Sequence, residues 1–122
     1  MNSFLKNRIK GIGIACKGAY LLVTTEASIK VEAGIAVLVT LAGIYVGLTP
    51  AEWMLQTLTI GLIISVEGLN TAVEKTVDFM HPQHNEKIGF IKDISAGAVF
   101  ITALAGIAVG CIIYIPKCIN ML

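Results

Sequence analysis

The sequence contains few charged residues for its length. Asp, Glu, Lys and Arg make up 14% of its 122 residues, whereas a soluble chain carries roughly a quarter. Hydrophobic residues make up 56%, and the mean hydropathy is +0.82. This apolar composition excludes a disordered chain, and the net charge of only +1 excludes a basic nucleic-acid-binding protein. The composition instead predicts a small integral membrane protein.

Cysteine and aromatic residues are also scarce. The three cysteines form no CxxC motif and have no histidine at metal-ligand spacing, so neither a disulfide scaffold nor a zinc site is expected. Aromatic residues make up 7%, but there are twelve glycines. Small residues allow helices to approach closely in lipid, and GxxxG motifs occur at Gly43 and Gly47 and again at Gly106 and Gly110. These motifs predict close helix packing.

Long stretches with little charge predict three transmembrane helices. Residues 33–51 and 94–116 contain 19 and 23 residues without a charge, which is long enough to cross a bilayer. The middle stretch, 53–66, reaches this length only if it continues past Glu67 and Glu74. We expect one domain over residues 1–122, with spans at about 31–49, 52–79 and 93–115. Three spans are too few to enclose a pocket alone, so self-association is expected.

The first thirty residues have a different pattern. Apolar residues recur at helical spacing, while Lys6, Lys10 and Lys17 lie along another face. This pattern predicts an amphipathic helix at about residues 4–27 that lies in the membrane interface. With three spans, eight of the nine basic residues share one side of the membrane, and Lys117 is alone on the other. The positive-inside rule then places the N-terminus in the cytoplasm.

A stripe of polar residues lies in the middle span. Its members occur at i, i+3, i+4, i+7 and i+11, which stack on one helix face: Glu67, Asn70, Thr71, Glu74 and Asp78. A carboxylate at membrane depth costs about 2.5–3.5 kcal/mol. The stripe must therefore face a protein interior, a water-filled cavity or a bound cation.

The depth of each carboxylate predicts its chemistry. Glu67 is the deepest, where desolvation makes a carboxylate a stronger base and suits proton exchange with a hydroxyl group. Glu74 and Asp78 lie nearer the cytoplasmic interface, within reach of a hydrated divalent cation. Glu26 and the pair Lys92-Asp93 fall at the same level, so further carboxylates and one lysine are available there.

Structural roles are the alternative for these residues. Asn70 and Thr71 could supply hydrogen bonds between helices, and Glu74 could form a salt bridge with Lys75 or Lys92. The last carboxylate of the stripe could cap the following loop, and the two histidines of that loop could simply be solvated. Glu67 has the weakest structural explanation, because its span contains no basic partner.

Two motifs carry a resemblance to a known family. The pattern ExxNTAxExxxD begins at Glu67, and KDxxAGAV begins at Lys92. Together with the interfacial helix, Lys17-Gly18 and Thr25-Glu26-Ala27, they resemble the prokaryotic diacylglycerol kinase family, which includes the undecaprenol kinases. The resemblance covers nearly the whole chain. It implies a homotrimeric helical bundle in the bacterial inner membrane, with active sites between subunits at the cytoplasmic interface.

The resemblance also implies a reaction and a set of site residues. The reaction is ATP- and Mg²⁺-dependent phosphorylation of a membrane lipid, either diacylglycerol to phosphatidic acid or undecaprenol to undecaprenyl phosphate. Glu67 is implied as the general base toward the lipid hydroxyl, and Glu26 and Glu74 as ligands of the Mg²⁺ of MgATP. The other residues implied around the nucleotide are Arg8, Asn70, Asp78, Gln83, His84, Asn85, Lys92 and Asp93.

Two other classes of protein compete with a lipid kinase. A small oligomeric channel or proton-coupled transporter also places carboxylates in a membrane, but its pathway needs ionisable groups through the whole bilayer. Here the polar residues cluster toward one side. A structural protein with polar residues only as contacts between helices does not explain why Lys92 and Asp93 lie level with the stripe.

Overall fold

The computed structural model describes residues 2–122, and the chain is helical with short connections there. Four helices follow one another: α1 (Ser3–Thr25), α2 (Ala27–Val46), α3 (Pro50–Met80) and α4 (Glu86–Met121). The predicted all-α class is confirmed, and the helices overlap the segments predicted from the sequence. α4 extends beyond the predicted span 93–115 at both ends: it begins after Asn85, whose side chain caps it, and it continues through Pro116 to Met121.

α1 begins at a capping residue and is exposed along its length. The Asn2 side chain accepts a hydrogen bond from the Phe4 N–H at 3.0 Å, and no residue of α1 is buried. The helix ends at Thr25 rather than at residue 27, because Glu26 adopts an extended conformation (φ −99°, ψ 119°). An exposed amphipathic helix agrees with the predicted interfacial helix, whose placement in a membrane stays a prediction.

Capping residues define the turn between α2 and α3. Gly47 ends α2 with φ 75°, a backbone conformation that glycine adopts at little cost. Thr49 and Glu52 form a capping box: the Glu52 N–H donates to Thr49 Oγ1 at 3.2 Å, and the Thr49 N–H donates to Glu52 Oε1 at 2.9 Å. Pro50 is the first residue of α3, a position at which proline is favoured because its missing N–H would be unpaired there.

Two of the helices, α2 and α4, are long and apolar enough to cross a membrane. α3 has 31 residues but does not meet the same criterion, since its second half carries the polar stripe. Two of the three predicted spans are therefore supported as candidates, and the membrane crossing of α3 stays a prediction.

Most large apolar side chains point away from the interior of the chain. Those buried within residues 2–122 are Ile29, Leu48, Val77 and Ile113. Apolar surface is unfavourable in water by about 25 cal/mol per Å², and soluble monomers rarely expose large apolar patches. The outer surface is therefore suited to contact lipid tails or neighbouring subunits rather than water.

Glycines allow the helices of the bundle to pack closely. A Cβ atom at Gly106 of α4 would lie 2.6 Å from Ile63 Cδ1 of α3. A Cβ atom at Gly43 of α2 would lie 2.8 Å from Leu48 Cδ1 and 2.9 Å from the Trp53 ring. The predicted packing role is confirmed for these two glycines. Gly47 instead ends α2, and Gly110 has open space beside it.

We expect Gly106→Val to destabilise the protein by about 1–3 kcal/mol, because the added methyl groups would overlap the Ile63 side chain. Gly61→Val is the matched control, since a Cβ atom at Gly61 would contact nothing within 4 Å. Thermal unfolding of the purified variants in detergent measures the difference. Equal unfolding midpoints for the two variants would show that the contact between α3 and α4 accommodates a larger side chain at Gly106.

The bundle has a polar group of residues at each end. At the end formed by the α2–α3 turn, Lys117 Nζ lies 3.0 Å from Glu52 Oε1 and 3.3 Å from the Gly47 carbonyl oxygen. The α1–α2 junction at Glu26 and the loop 81–85 lie at the opposite end, because α3 connects the two ends. Lys117 thus lies apart from the other basic residues, as the charge distribution predicts.

Candidate active site

The polar stripe lies on one face of the second half of α3. Thr71 is buried, Glu67 and Asn70 are half-buried, and Glu74 and Asp78 are exposed. Burial therefore decreases toward the end of α3 that carries the loop 81–85. This gradient agrees with the depths predicted from the sequence, with Glu67 inside the bundle and Asp78 at its margin.

Hydrogen bonds within the stripe run along α3. Asn70 Nδ2 donates to Glu74 Oε1 at 3.4 Å, and Thr71 Oγ1 donates to the Glu67 carbonyl oxygen at 3.1 Å. Both bonds join residues four positions apart on the same helix. Neither Asn70 nor Thr71 forms a side-chain hydrogen bond to another helix within the described chain. This geometry does not support the alternative in which they only join helices.

Glu26 is brought to α3 by the break between α1 and α2. Its extended backbone separates the two helices, and its half-buried side chain lies with Oε1 3.4 Å from Lys75 Nζ. Lys75 is the neighbour of Glu74 in sequence. The two predicted Mg²⁺ ligands, Glu26 and Glu74, therefore lie at the same level of the bundle.

Lys92 joins the start of α4 to the end of the stripe. Its Nζ atom lies 2.6 Å from Asp78 Oδ1. Lys75 forms a salt bridge with Glu26, and Lys92 forms one with Asp78. Glu74 takes part in none of the three ion pairs within residues 2–122. The salt-bridge alternative for Glu74 is therefore wrong in this structure. Asp93 follows Lys92 and is exposed.

Two buried oxygen atoms near the stripe have no hydrogen-bond partner. They are Asn70 Oδ1 and Glu32 Oε2, within the part of the chain that the structure describes. Glu32 of α2 lines a cavity together with Ile63 and Ile64, which precede Glu67 on α3 by one helical turn. Buried polar atoms are almost always satisfied, so these two oxygens are available to accept hydrogen bonds from water, a ligand or a neighbouring subunit. Glu32 lies at the mouth of the first predicted span, at the level of the other carboxylates, but it is not among the site residues that the resemblance implies.

The loop 81–85 is organised mainly by its own hydrogen bonds. The His81 ring contacts the Gln83 carbonyl oxygen through Nδ1 at 2.6 Å, and Asn85 Oδ1 accepts from the Ile88 N–H at 2.9 Å. Gln83 and His84 are exposed. The Asn85 side chain thus caps α4, while Gln83 and His84 remain accessible at the end of the bundle that holds the stripe.

Arg8 is far from the other predicted site residues within one chain. It is exposed on α1, and its guanidinium carbon lies 5.1 Å from the centre of the Phe4 ring. Arg8 precedes Glu26 by eighteen residues, or about 27 Å along a helix. The fold of one chain therefore does not bring Arg8 to the carboxylates.

The oxygen-rich composition of the stripe fits a magnesium ion bound together with a nucleotide. Within residues 2–122, no three His, Cys, Asp or Glu side chains form a self-sufficient metal cage. Mg²⁺ is commonly held by one or two carboxylates together with substrate phosphates. Glu26 and Glu74 would supply two carboxylates, and a nucleotide would supply the phosphates. The unpartnered Asn70 Oδ1 adds a further oxygen beside Glu74.

If Lys92 contacts the nucleotide, as the resemblance implies, Lys92→Met should lower kcat/KM for ATP about 10–100-fold, because a charged hydrogen bond to a phosphate oxygen would be lost. The Lys92–Asp78 pair is partly exposed, so its loss should change the free energy of unfolding by less than about 1 kcal/mol. Steady-state kinetics and thermal unfolding, with the exposed Lys87→Met as the control, separate the two effects. A purely structural pair would give the same small kinetic effect for Lys92→Met and Asp78→Asn.

The fold and the site define a small helical membrane enzyme with its polar residues gathered at one end of the bundle. The chain belongs to the prokaryotic diacylglycerol kinase family, which matches residues 13–114. It is 35% identical over 117 residues to an undecaprenol kinase of Bacillus subtilis (strain 168), covering 96% of this chain and 92% of the relative. It is 27% identical over 105 residues to a diacylglycerol kinase of Escherichia coli (strain K12), covering 86% of each chain.

Membership of this family identifies the chain as a lipid kinase of the membrane. A third relative, a diacylglycerol kinase of Synechocystis, is 27% identical over 117 residues, covering 95% of this chain and 67% of the relative. The family predicted from the two sequence motifs is thereby confirmed. A kinase requires a nucleotide as phosphoryl donor, and a lipid kinase requires a lipid acceptor. The family does not support the channel and the purely structural interpretations.

Proposed function

We propose that the chain transfers the γ-phosphoryl group of MgATP to the hydroxyl group of undecaprenol or diacylglycerol. The names of its relatives support both lipids. The higher identity to the undecaprenol kinase, over nearly the whole of both chains, supports undecaprenol as the first lipid to test.

The observation that carries this proposal is the polar stripe on α3 together with Lys92 of α4, which we call the polar cluster. Phosphoryl transfer depends mainly on positioning the reactants and neutralising charge, with little covalent help from the protein. The cluster has a half-buried carboxylate at Glu67, an unpartnered amide oxygen at Asn70, and the Lys92–Asp78 pair at its margin. These groups suit a plane at which a lipid hydroxyl meets a water-soluble nucleotide.

Each residue of the cluster has a distinct proposed role. Glu67 accepts the proton of the lipid hydroxyl as the oxygen attacks the γ-phosphorus. Asn70, bonded to Glu74, orients that carboxylate. Lys92 neutralises charge on the phosphate oxygens, with Asp78 holding its ammonium group and Asp93 beside it.

Glu26 and Glu74 are the residues that would hold Mg²⁺. The ion would neutralise charge on the ATP phosphates. Lys75 contacts Glu26 in the chain alone, so we propose that this ion pair opens when MgATP binds. The exposed Gln83, His84 and Asn85 would lie over the nucleotide.

A homotrimer is the proposed assembly. Arg8 lies too far along α1 to join the cluster of its own chain, and a neighbouring subunit can supply it. The many exposed apolar side chains offer surface for contacts between subunits. We place α2, α3 and α4 across the bacterial inner membrane with the N-terminus in the cytoplasm, because the basic residues concentrate at that end.

The proposed reaction is tested by supplying both lipids to the purified protein. The full chain in detergent micelles is incubated with ATP, Mg²⁺ and either undecaprenol or diacylglycerol, and ADP release is followed. Release that depends on one of the lipids supports the proposal and identifies the preferred substrate. Release at the same rate with and without either lipid contradicts it.

A further inference from the structure

A cavity of about 450 Å³ lies between α2, α3 and α4 of one chain. The expectation that three spans cannot form a pocket alone is therefore wrong. Its wall is almost entirely apolar and includes Ile63 of α3 and Gly110 of α4. Glu32 lines one end, and Gln56 and Tyr114 line the other. The outermost lining residues lie seven residues apart on α2 and eleven apart on α4, so the cavity is about 10–16 Å long at a rise of 1.5 Å per residue.

Hydrogen bonds close the far end of the cavity and join three helices there. Tyr114 Oη of α4 lies 2.5 Å from Gln56 Oε1 of α3 and 2.9 Å from the Val39 carbonyl oxygen of α2. Gln56 Nε2 donates to the same carbonyl at 3.4 Å. Gln56 is buried and Tyr114 half-buried, so these polar groups bond one another in an apolar region. The proposed reaction uses neither residue.

The near end of the cavity meets the candidate active site. Glu32 of α2 lines this end and has a buried oxygen without a partner, and Ile63 and Ile64 of α3, which line the cavity wall, precede Glu67 by one helical turn. A lipid whose hydroxyl group is at Glu67 can therefore extend its apolar chain from the Glu32 end toward Gln56 and Tyr114.

We propose that Gln56 and Tyr114 are specificity-determining residues that limit the length of the hydrocarbon chain held in this cavity. The inference rests on the proposed function, because the occupant is a hydrocarbon chain of the lipid substrate. The cavity of 450 Å³ accommodates only part of a long chain such as that of undecaprenol, and the rest of such a chain lies in the surrounding lipid. The apolar wall fits such a chain, and the bonded Gln56–Tyr114 pair blocks its continuation.

Substitutions at the two residues and at Gly110 should change chain-length preference in opposite directions. The double variant Gln56→Ala with Tyr114→Ala removes the closure. Gly110→Val narrows the cavity one turn before Tyr114, where a Cβ atom would meet nothing within 4 Å. The matched controls are Tyr45→Ala, at a side chain 79% exposed, and Gly61→Val, outside the cavity.

The measurement is kcat/KM of the full chain for diacylglycerols with octanoyl, lauroyl or palmitoyl chains, and for farnesol and undecaprenol. The double variant should raise the ratio of long-chain to short-chain kcat/KM by about fourfold for each additional methylene that becomes buried. Gly110→Val should lower this ratio, and the controls should keep the native ratio. Gly110→Val leaves the hydrogen-bonded closure in place, so it provides a test even if the double variant does not fold.

Two results would overturn the inference, and they are distinguishable. Native activity with the same chain-length ratio in every variant overturns the inference and leaves the proposed function standing. The oligomeric state of those variants is measured by size-exclusion chromatography with light scattering. If it also differs from that of the native chain, a second copy of the chain occupies the cavity. Inactivity of the native chain on every lipid overturns the proposed function and the inference together.

Discussion

Glu67→Gln should lower kcat for lipid phosphorylation by about 10²–10⁴-fold, the usual contribution of a general base. Glutamine has nearly the same shape as glutamate but cannot take the proton of a lipid hydroxyl. Glu67 lies half-buried on α3, and the hydrogen bond from Thr71 reaches its backbone carbonyl rather than its carboxylate. The substitution should therefore leave the local helix unchanged.

The matched control is Glu86→Gln, at an exposed glutamate in the first turn of α4. Both variants should keep the native circular dichroism spectrum and the native oligomeric state, and the control should keep native turnover. Phosphorylation by Glu67→Gln within threefold of native, in a folded protein, would rule out a base at this position, because threefold corresponds to only about 0.6 kcal/mol of barrier, far less than a general base contributes.

Glu74→Ala should weaken the dependence of the reaction on Mg²⁺ concentration. Removing one of two carboxylates from the ion should raise the Mg²⁺ concentration needed for half-maximal activity at least about 10–100-fold, since even indirect partners of a metal contribute that much. Glu74 is free of ion pairs within residues 2–122, so the expected effect comes from the lost ligand and not from a broken salt bridge.

A titration of activity with Mg²⁺ at fixed ATP distinguishes this variant from Glu67→Gln. Excess Mg²⁺ should restore part of the activity of Glu74→Ala but none of that of Glu67→Gln, because only the former loses a ligand. Glu86→Ala is the control and should titrate like the native chain. An unchanged midpoint for Glu74→Ala would exclude Glu74 as a ligand.

Helical periodicity was sufficient to predict the stripe on α3. Positions three and four apart share a helix face whatever the tertiary structure, so Glu67, Asn70 and Glu74 could be placed together from spacing alone. The start of α3 also follows from local signals, because Thr49 and Glu52 have the spacing of a capping box.

Contacts between helices could not be predicted in the same way. Lys92 pairs with Asp78 and Lys75 with Glu26, and neither spacing nor residue type specifies these partners. Gln56 and Tyr114 are 58 residues apart, and their hydrogen bond depends on how α3 and α4 pack. Arg8 illustrates a further limit, since its predicted place in the site requires a neighbouring subunit.

The most direct test of the central claim follows the γ-phosphoryl group itself. ATP labelled at the γ-phosphate is given to the purified full chain with undecaprenol, with diacylglycerol or without lipid, each with and without Mg²⁺. Label should appear in the extracted lipid, only when lipid and Mg²⁺ are both present, and Glu67→Gln should remove it. Consumption of ATP with all label released as inorganic phosphate would contradict a lipid kinase site on α3.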